Sequence, residues 1–227
     1  HASGRGCRPI RRRDAEIGRS SLATRADTGR DGPHAGQRDE LDLARSRHWQ
    51  LLGLLLRTAP DAATLTLVAG LEGDTSPLGA ARAALAAAAG TTGPEAVERE
   101  YHHLFIGVGR GELLPYASYY RTGFLNDKPL ASLRADLARL HIERAAGQSD
   151  PEDHIASLAE VMAGLIAGDF AVEPGEQQHF FNRHLEPWAG RFFADLEATE
   201  AAAFYRPVGS IGRQLVEIEA TAYTLAA

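Results

Sequence analysis

At 227 residues, 44% hydrophobic and 24% charged, the chain is long enough to bury one sizeable core, and no run of 18 apolar residues exists to span a bilayer. The formal charge of -6 is unevenly placed: residues 1–40 hold 9 Arg against 6 Asp/Glu, or +3, which leaves 15 Lys/Arg against 24 Asp/Glu, or -9, for the rest. An acidic body argues against nucleic acid as the main partner, and the single cysteine, Cys7, excludes an intramolecular disulfide and a Cys-based zinc site.

Residues 1–38 are rich in Gly, Arg, Ser and Asp and show no apolar period, which predicts a disordered basic tail ahead of a domain at 39–227. The paired arginines of "RRRDAEIGRSS" resemble an export leader, but Asp14, Glu16, Gly18 and Arg19 stand where such a leader needs its apolar core. The expectation is a tail and no signal peptide.

From Glu40 the apolar residues recur at helical steps. Leu41, Ala44, His48, Leu51, Leu52, Leu55 and Leu56 predict one face of a first helix, and 62–71 a second. Ser76-Pro77 opens a third that stops at Gly90, and Pro94 opens a fourth that ends at Gly107. Residues 107–126, with four glycines and four aromatics, break the pattern and predict a long loop. Helical signals resume at 129–144, 151–167, 176–185 and 187–204, with a last helix after an "RPVGS" turn whose apolar face is Ile211, Leu215, Ile218 and Tyr223. The fold class is therefore all-α, a single helical bundle of about eight to ten helices with a long central loop.

The stretch "DPEDHIASLAEVMAGLIAG" carries the densest chemistry. Asp150 before Pro151, with Asp153 following, reads as a helix start, which leaves His154 unexplained, since a charged imidazole gains nothing at a helix N-terminus. A metal site would need His102 or His103, His141, His179 or His184 to converge on His154, Asp150 and Glu152, and no ligand spacing such as His-Glu-x-x-His occurs. Neither metal nor cofactor is expected. Ser118 has no assigned base, and "GVGRG" lacks the Gly-Lys-Ser/Thr ending of a phosphate loop. Tyr101, Leu104 and Phe105 fall on one helical face, most simply as core; with Pro115, Tyr116, Tyr119 and Tyr120 they alternatively line an apolar groove with an acidic rim, suited to a peptide with a basic end.

"EREYHHLFIG", then "LLPYASYYRTG", then "DPEDHIASLAEVMAGL", with "FFNRHLEPWAGRFFADL" later, resemble in order and separation the TorD/DmsD family of cytoplasmic redox-enzyme maturation chaperones. The resemblance covers roughly residues 40–225. It implies an all-helical, non-enzymatic cytoplasmic protein without stable membrane insertion. Its partners would be the apo catalytic subunit of a molybdenum-cofactor oxidoreductase and that subunit's twin-arginine leader, held until cofactor insertion. Carried onto matching positions, it implies peptide-binding roles for Tyr101, Leu104, Phe105, Pro115, Tyr116, Ser118, Asp153 and His154. The family often has Trp where Tyr101 and Tyr116 stand. Alternatives are a helical metal- or nucleotide-dependent enzyme, or an assembly factor for a non-exported molybdoenzyme. A monomer and a helix-exchanged dimer are both open.

Overall fold

Local start signals set several helices in place: Asp61, Ser76-Pro77, Pro94 and Asp127 stand at or just before the first residue of a helix. The computed structural model describes residues 11–12, 33–107, 111–143 and 150–225. Over these the chain forms α1 (Pro33–Arg57), α2 (Ala62–Ala69), α3 (Pro77–Thr91), α4 (Pro94–Tyr101), α5 (Ala117–Thr122), α6 (Lys128–Arg139), α7 (Ile155–Ala167), α8 (Glu176–Phe180), α9 (Ala189–Ala198) and α10 (Tyr205–Leu225). Extended pairing among the described residues is confined to two-residue strands, β1 (Arg11–Arg12) against β2 (Ile142–Glu143), and an isolated bridge between Tyr116 and His154. The domain is all-α, as expected.

The capping chemistry is local at two starts, the expected one at Ser76 and one at Asp61. Asp61 accepts the Thr64 amide at 2.8 Å, and Ser76 Oγ accepts the Gly79 amide at 3.0 Å ahead of Pro77. Gly123 and Gly168 take left-handed conformations that end α5 and α7. The start of α10 is capped from a distance: the Glu100 carboxylate, on α4, receives the amides of Ala203, Phe204 and Tyr205 at 2.8–3.0 Å.

Helix α7 is the centre of the bundle. Eleven of its thirteen residues are buried, so no side of it is free for water and every side must meet another element. Helix α1 lies along it, α10 packs on α9 and α3, and α2 packs on α3. Trp49, Leu52, Leu55, Met162, Phe180, Phe181, Phe192, Phe193, Phe204 and Tyr205 are fully enclosed.

Several elements differ from the sequence reading, each for a long-range reason. Helix α1 starts at Pro33 and so crosses the expected boundary at residue 38; apart from Arg11–Arg12, residues 1–32 and their expected disorder lie outside the described residues. Its buried stripe is Ser46, Trp49, Leu52, Leu55 and Leu56, whereas Leu41 is 61% exposed and Ala44 faces out. The helix is turned by Arg45, which forms a two-armed ion pair with the fully buried Glu219 of α10 while Trp49 Nε1 donates to the same carboxylate at 3.3 Å. That arrangement also leaves the expected core residue Ile218 42% exposed.

The "RPVGS" segment is the first turn of α10 rather than a loop. Pro207 is tolerated there because the first-turn amides have no intrahelical acceptor. Gly209 and Gly212 let α10 approach α9 closely: a Cβ at Gly209 would stand 2.7 Å from the Glu197 nitrogen, and one at Gly212 would enter the Phe193 ring. The expected helices 94–107 and 176–185 each change to a π-helical turn, at His102–Ile106 and Phe181–Leu185. The expected loop contains α5, and the core of its "GVGRG" motif, 108–110, lies outside the described residues.

Candidate functional site

The three segments singled out in the sequence meet through backbone hydrogen bonds. The chain leaving the first π-helical turn folds back on it, with the Leu113 amide donating to the Leu104 carbonyl at 2.8 Å. Gly111 makes this approach feasible, since a Cβ there would lie 2.7 Å from the Leu104 oxygen. Residues 115–117 then run antiparallel to 153–155: Ile155 N donates to the Pro115 carbonyl at 2.8 Å, and Ala117 N to the Asp153 carbonyl at 3.0 Å.

Asp153 and His154 each cap a different helix. The Asp153 Oδ2 accepts the Ser118 amide at 2.8 Å and so caps α5 across 35 residues of sequence. His154 is the N-cap of α7, its Nδ1 accepting the Ala156 amide at 3.1 Å. A ring nitrogen that accepts cannot carry a proton, and burial, reinforced by the nearby Arg57 charge, holds the His154 pKa down to about 3. The difficulty of a histidine at a positive helix end is thus met by a neutral imidazole. Asp150 and Pro151 precede the helix, which begins at Ile155, so the expected start at Asp150-Pro151 is corrected by four residues.

The aromatic members lie above this latch. Tyr116 stands edge-on to His154, ring centroids 5.1 Å apart. Tyr101 donates to the Arg57 carbonyl at 3.0 Å, satisfying an orphan acceptor at the end of α1, and packs with Phe105 (5.1 Å) and Tyr205 (5.9 Å). Burial and the negative charge of Asp150 push both Tyr101 and Tyr116 up to about 12, so both hydroxyls stay protonated donors.

Six of the eight residues, Leu104, Phe105, Pro115, Ser118, Asp153 and His154, are buried; Tyr101 and Tyr116 are half-buried. They form a packed knot instead of the open groove that the spacing suggested as an alternative to core. Two clefts lie elsewhere. One of about 380 Å³ is lined by Gly175, Gln178, His179, Asn182 and Arg183, and one of about 230 Å³ by Arg134, Leu137, Ala138, His141, Ile142, Glu143 and Glu152.

Arg57, Ser157 and Glu160 are the neighbours that sequence reasoning missed. Arg57 donates to Ser157 Oγ at 3.0 Å and pairs with Glu160 at 3.0 Å, tying the end of α1 to α7 beneath the knot. The signal was present in α7, where Ser157 and Glu160 are the polar residues of an otherwise apolar helix. Arg57 Nη1, Asp153 Oδ1 and Ser118 Oγ are buried without a hydrogen-bond partner among the described residues, an unusual concentration of unmet polar capacity. Ser118 Oγ has no hydrogen-bond partner among the described residues, and His154 Nδ1 is committed to its cap, so the two do not form a nucleophile–base pair. Nor do three His, Cys, Asp or Glu side chains converge as a metal site among the described residues.

The family model described as nitrate reductase delta subunit matches residues 71–194, a span that contains all eight candidate residues. Chaperone protein TorD of Vibrio cholerae serotype O1 (strain O395) is 25% identical over 127 residues, which cover 52% of this chain and 58% of that protein. Chaperone protein TorD of Actinobacillus succinogenes is 26% identical over 109 residues, covering 48% and 55%. The chain thus spans a little over half the length of the curated relatives it matches. A solved structure described as a redox enzyme maturation protein from Archaeoglobus fulgidus aligns with a TM-score of 0.48 and 19% identity, over 88% of this chain and 99% of that one.

Proposed function

This chain belongs to the TorD/DmsD family, the family of the nitrate reductase delta subunit model, and on that premise we propose that it is a redox-enzyme maturation chaperone. Its client is the apo catalytic subunit of a molybdenum-cofactor oxidoreductase, which it binds in the cytoplasm through the twin-arginine leader and holds until cofactor insertion. The observation that carries the reading is the family match over 71–194, which encloses the whole knot, together with curated relatives named as TorD chaperones.

The geometry refines the roles of the eight residues. Tyr101 and Tyr116, half-buried, offer the aromatic faces that an incoming peptide meets. Asp153 and His154 work from below: they fix Pro115, Tyr116 and Ser118 against α7, and Asp153 meets a leader arginine only if the latch opens. Leu104 and Phe105 support the platform from the core. No covalent step is involved. A leader that orders on binding spends part of its interaction energy on that ordering, which suits a partner that must release.

A second form of the same reading has the chain hold the mature region of a non-exported enzyme instead of a leader, in line with a family description that names an enzyme subunit.

The test is a pull-down from native-source extract with tagged wild-type chain, Tyr116→Ala, and the Asp153→Ala/His154→Ala pair, each checked by thermal melting. The expected result is a molybdoenzyme subunit captured by wild type and lost from variants that still fold. Capture of that subunit without its leader segment supports the second form. Absence of any such subunit from an extract containing the apo form overturns the proposal.

A further inference from the structure

The short strand β2 is an edge with a known occupant. Helix α6 ends at Arg139 with Leu140 as its C-cap, His141 adopts a left-handed φ of +55°, and the chain leaves as an extended pair, Ile142 and Glu143. A non-glycine residue holds that conformation only where its surroundings demand it. Here the buried Ile142 anchors the strand to the body while Glu143 is exposed. Among the described residues, β2 has one ladder partner, the chain's own Arg11–Arg12, antiparallel with Arg11 opposite Glu143 and Arg12 opposite Ile142.

Three features fit this edge to a basic extended segment. Opposite-charge positions face each other across the ladder, Arg11 to Glu143, an arrangement that favours pairing. The adjoining cleft of about 230 Å³ carries Glu143, while its second carboxylate, Glu152, is ion-paired with Arg134 at 2.8 Å. On the scale of the whole chain, the first 40 residues carry +3 and the remainder -9. The ladder is also short. Two paired positions make a marginal contact, held by the tether to the same chain and open to exchange.

We propose that Ile142–Glu143 is a strand-addition site for extended peptides carrying consecutive arginines. The chain's own Arg11–Arg12 is its resident occupant, and the arginine pair of a client leader displaces it. The last clause rests on the chaperone reading above; the site itself does not. Recognition is by β-augmentation, in which main-chain hydrogen bonds hold the peptide and Glu143, opposite its first arginine, selects its charge. The consequence is regulatory: the chain carries a built-in competitor, so that only a segment matching its chemistry gains the edge.

The experiment uses the 227-residue chain and the same chain with Arg11→Pro/Arg12→Pro, which removes whichever of the two alternating amides faces the ladder. The probe is a fluorescent peptide of residues 8–18, RPIRRRDAEIG, titrated by anisotropy, with amide exchange followed at Ile142 and Glu143. The variant is expected to bind the probe at least about fivefold more tightly than wild type, because the tethered competitor is gone. Of its Ile142 and Glu143 amides, the one that faces the ladder is expected to exchange faster than in wild type and to regain protection on adding probe. A probe with its arginines replaced by glutamate is expected not to bind. Equal affinity of both proteins for the probe, or unchanged exchange at both amides, overturns the site. A twin-arginine leader is titrated in parallel. If the probe behaves as expected and the leader binds neither protein, the strand site stands and the leader-binding reading fails. If the leader binds both proteins equally, that reading stands and displacement at this edge is overturned.

Discussion

The Asp153 carboxylate caps a helix that begins 36 residues earlier in the chain: its Oδ2 lies 2.8 Å from the amide of Ser118. The same residue's backbone carbonyl takes the amide of Ala117, so α5 is fixed to the start of α7 by one amino acid acting twice. An aspartate at this position therefore has a structural duty separable from any contact with a client. Asp153→Ala is expected to lower stability by about 1–2 kcal/mol, the usual loss of a cap, and Asp153→Asn by less, since its amide oxygen still accepts. For a domain of this size that is a fall in Tm of roughly 2–8 °C, read by thermal melting. An Asn variant as unstable as the Ala variant would show that the cap is not what Asp153 supplies.

His154 gives the pH dependence. Its folded pKa is near 3 and its unfolded value near 6.5, so below pH 6.5 the unfolded chain binds a proton that the folded chain does not. Stability from this group is complete above about pH 6.5 and declines as pH falls toward 3, by at most about 1.4 kcal/mol per unit. Burial holds His184 down as well, against the opposing pull of Asp136, and so adds a slope of the same sign. His154→Asn keeps a capping side chain without the titration. Urea midpoints between pH 4 and 7 are expected to vary less in that variant than in wild type.

The buried Glu219 is held by Arg45 and Trp49, and its removal leaves the partly buried guanidinium with Asp42 and the Tyr223 hydroxyl alone, and the Trp49 Nε1 without its acceptor. Glu219→Ala is expected to cost about 3–5 kcal/mol. The double replacement Arg45→Met/Glu219→Met restores part of that loss, because the apolar pair needs no partner, while the buried Trp49 Nε1 is left without its acceptor. Chemical denaturation of the two variants separates an ion pair required for stability from one required only to be complete.

The α9–α10 contact depends on glycine at one site and not at another. A Cβ at Gly212 enters the Phe193 ring, so Gly212→Ala is expected to destabilise by about 1–3 kcal/mol through overpacking. At Gly190 a Cβ finds Val216 Cγ1 at 3.7 Å, an ordinary contact, and Gly190→Ala is expected to be neutral or to stabilise by up to about 1 kcal/mol. Melting temperatures that move in the same direction would contradict the packing argument.

Helix class and most helix starts were legible from sequence because their causes are local. Ser76-Pro77 and Asp61 act on amides within three residues, and the apolar period of α7 records its burial in its own composition. The segments around Tyr101, Tyr116 and His154 were legible as chemistry, although their burial was not. Spacing places Leu104 and Phe105 on one face but does not say whether that face meets water or, as here, Tyr205 and the chain returning at Leu113.

What only the tertiary structure decided are the partnerships between distant parts of the chain. Hydropathy puts Ile218 inside and Glu219 outside; Arg45, 174 residues away, reverses the two by offering the carboxylate a partner. The Asp150-Pro151 start is the one local rules favour, yet His154 takes the cap because Pro115 and Ala117 hold residues 153–155 extended. The sequence by itself determined an acidic helical bundle and where most of its helices begin, since propensity, capping and periodicity act within a few residues. Which side chains are enclosed, which helix Asp153 caps and where Arg11–Arg12 pairs were settled by the fold, since burial and hydrogen-bond satisfaction depend on what the rest of the chain brings alongside.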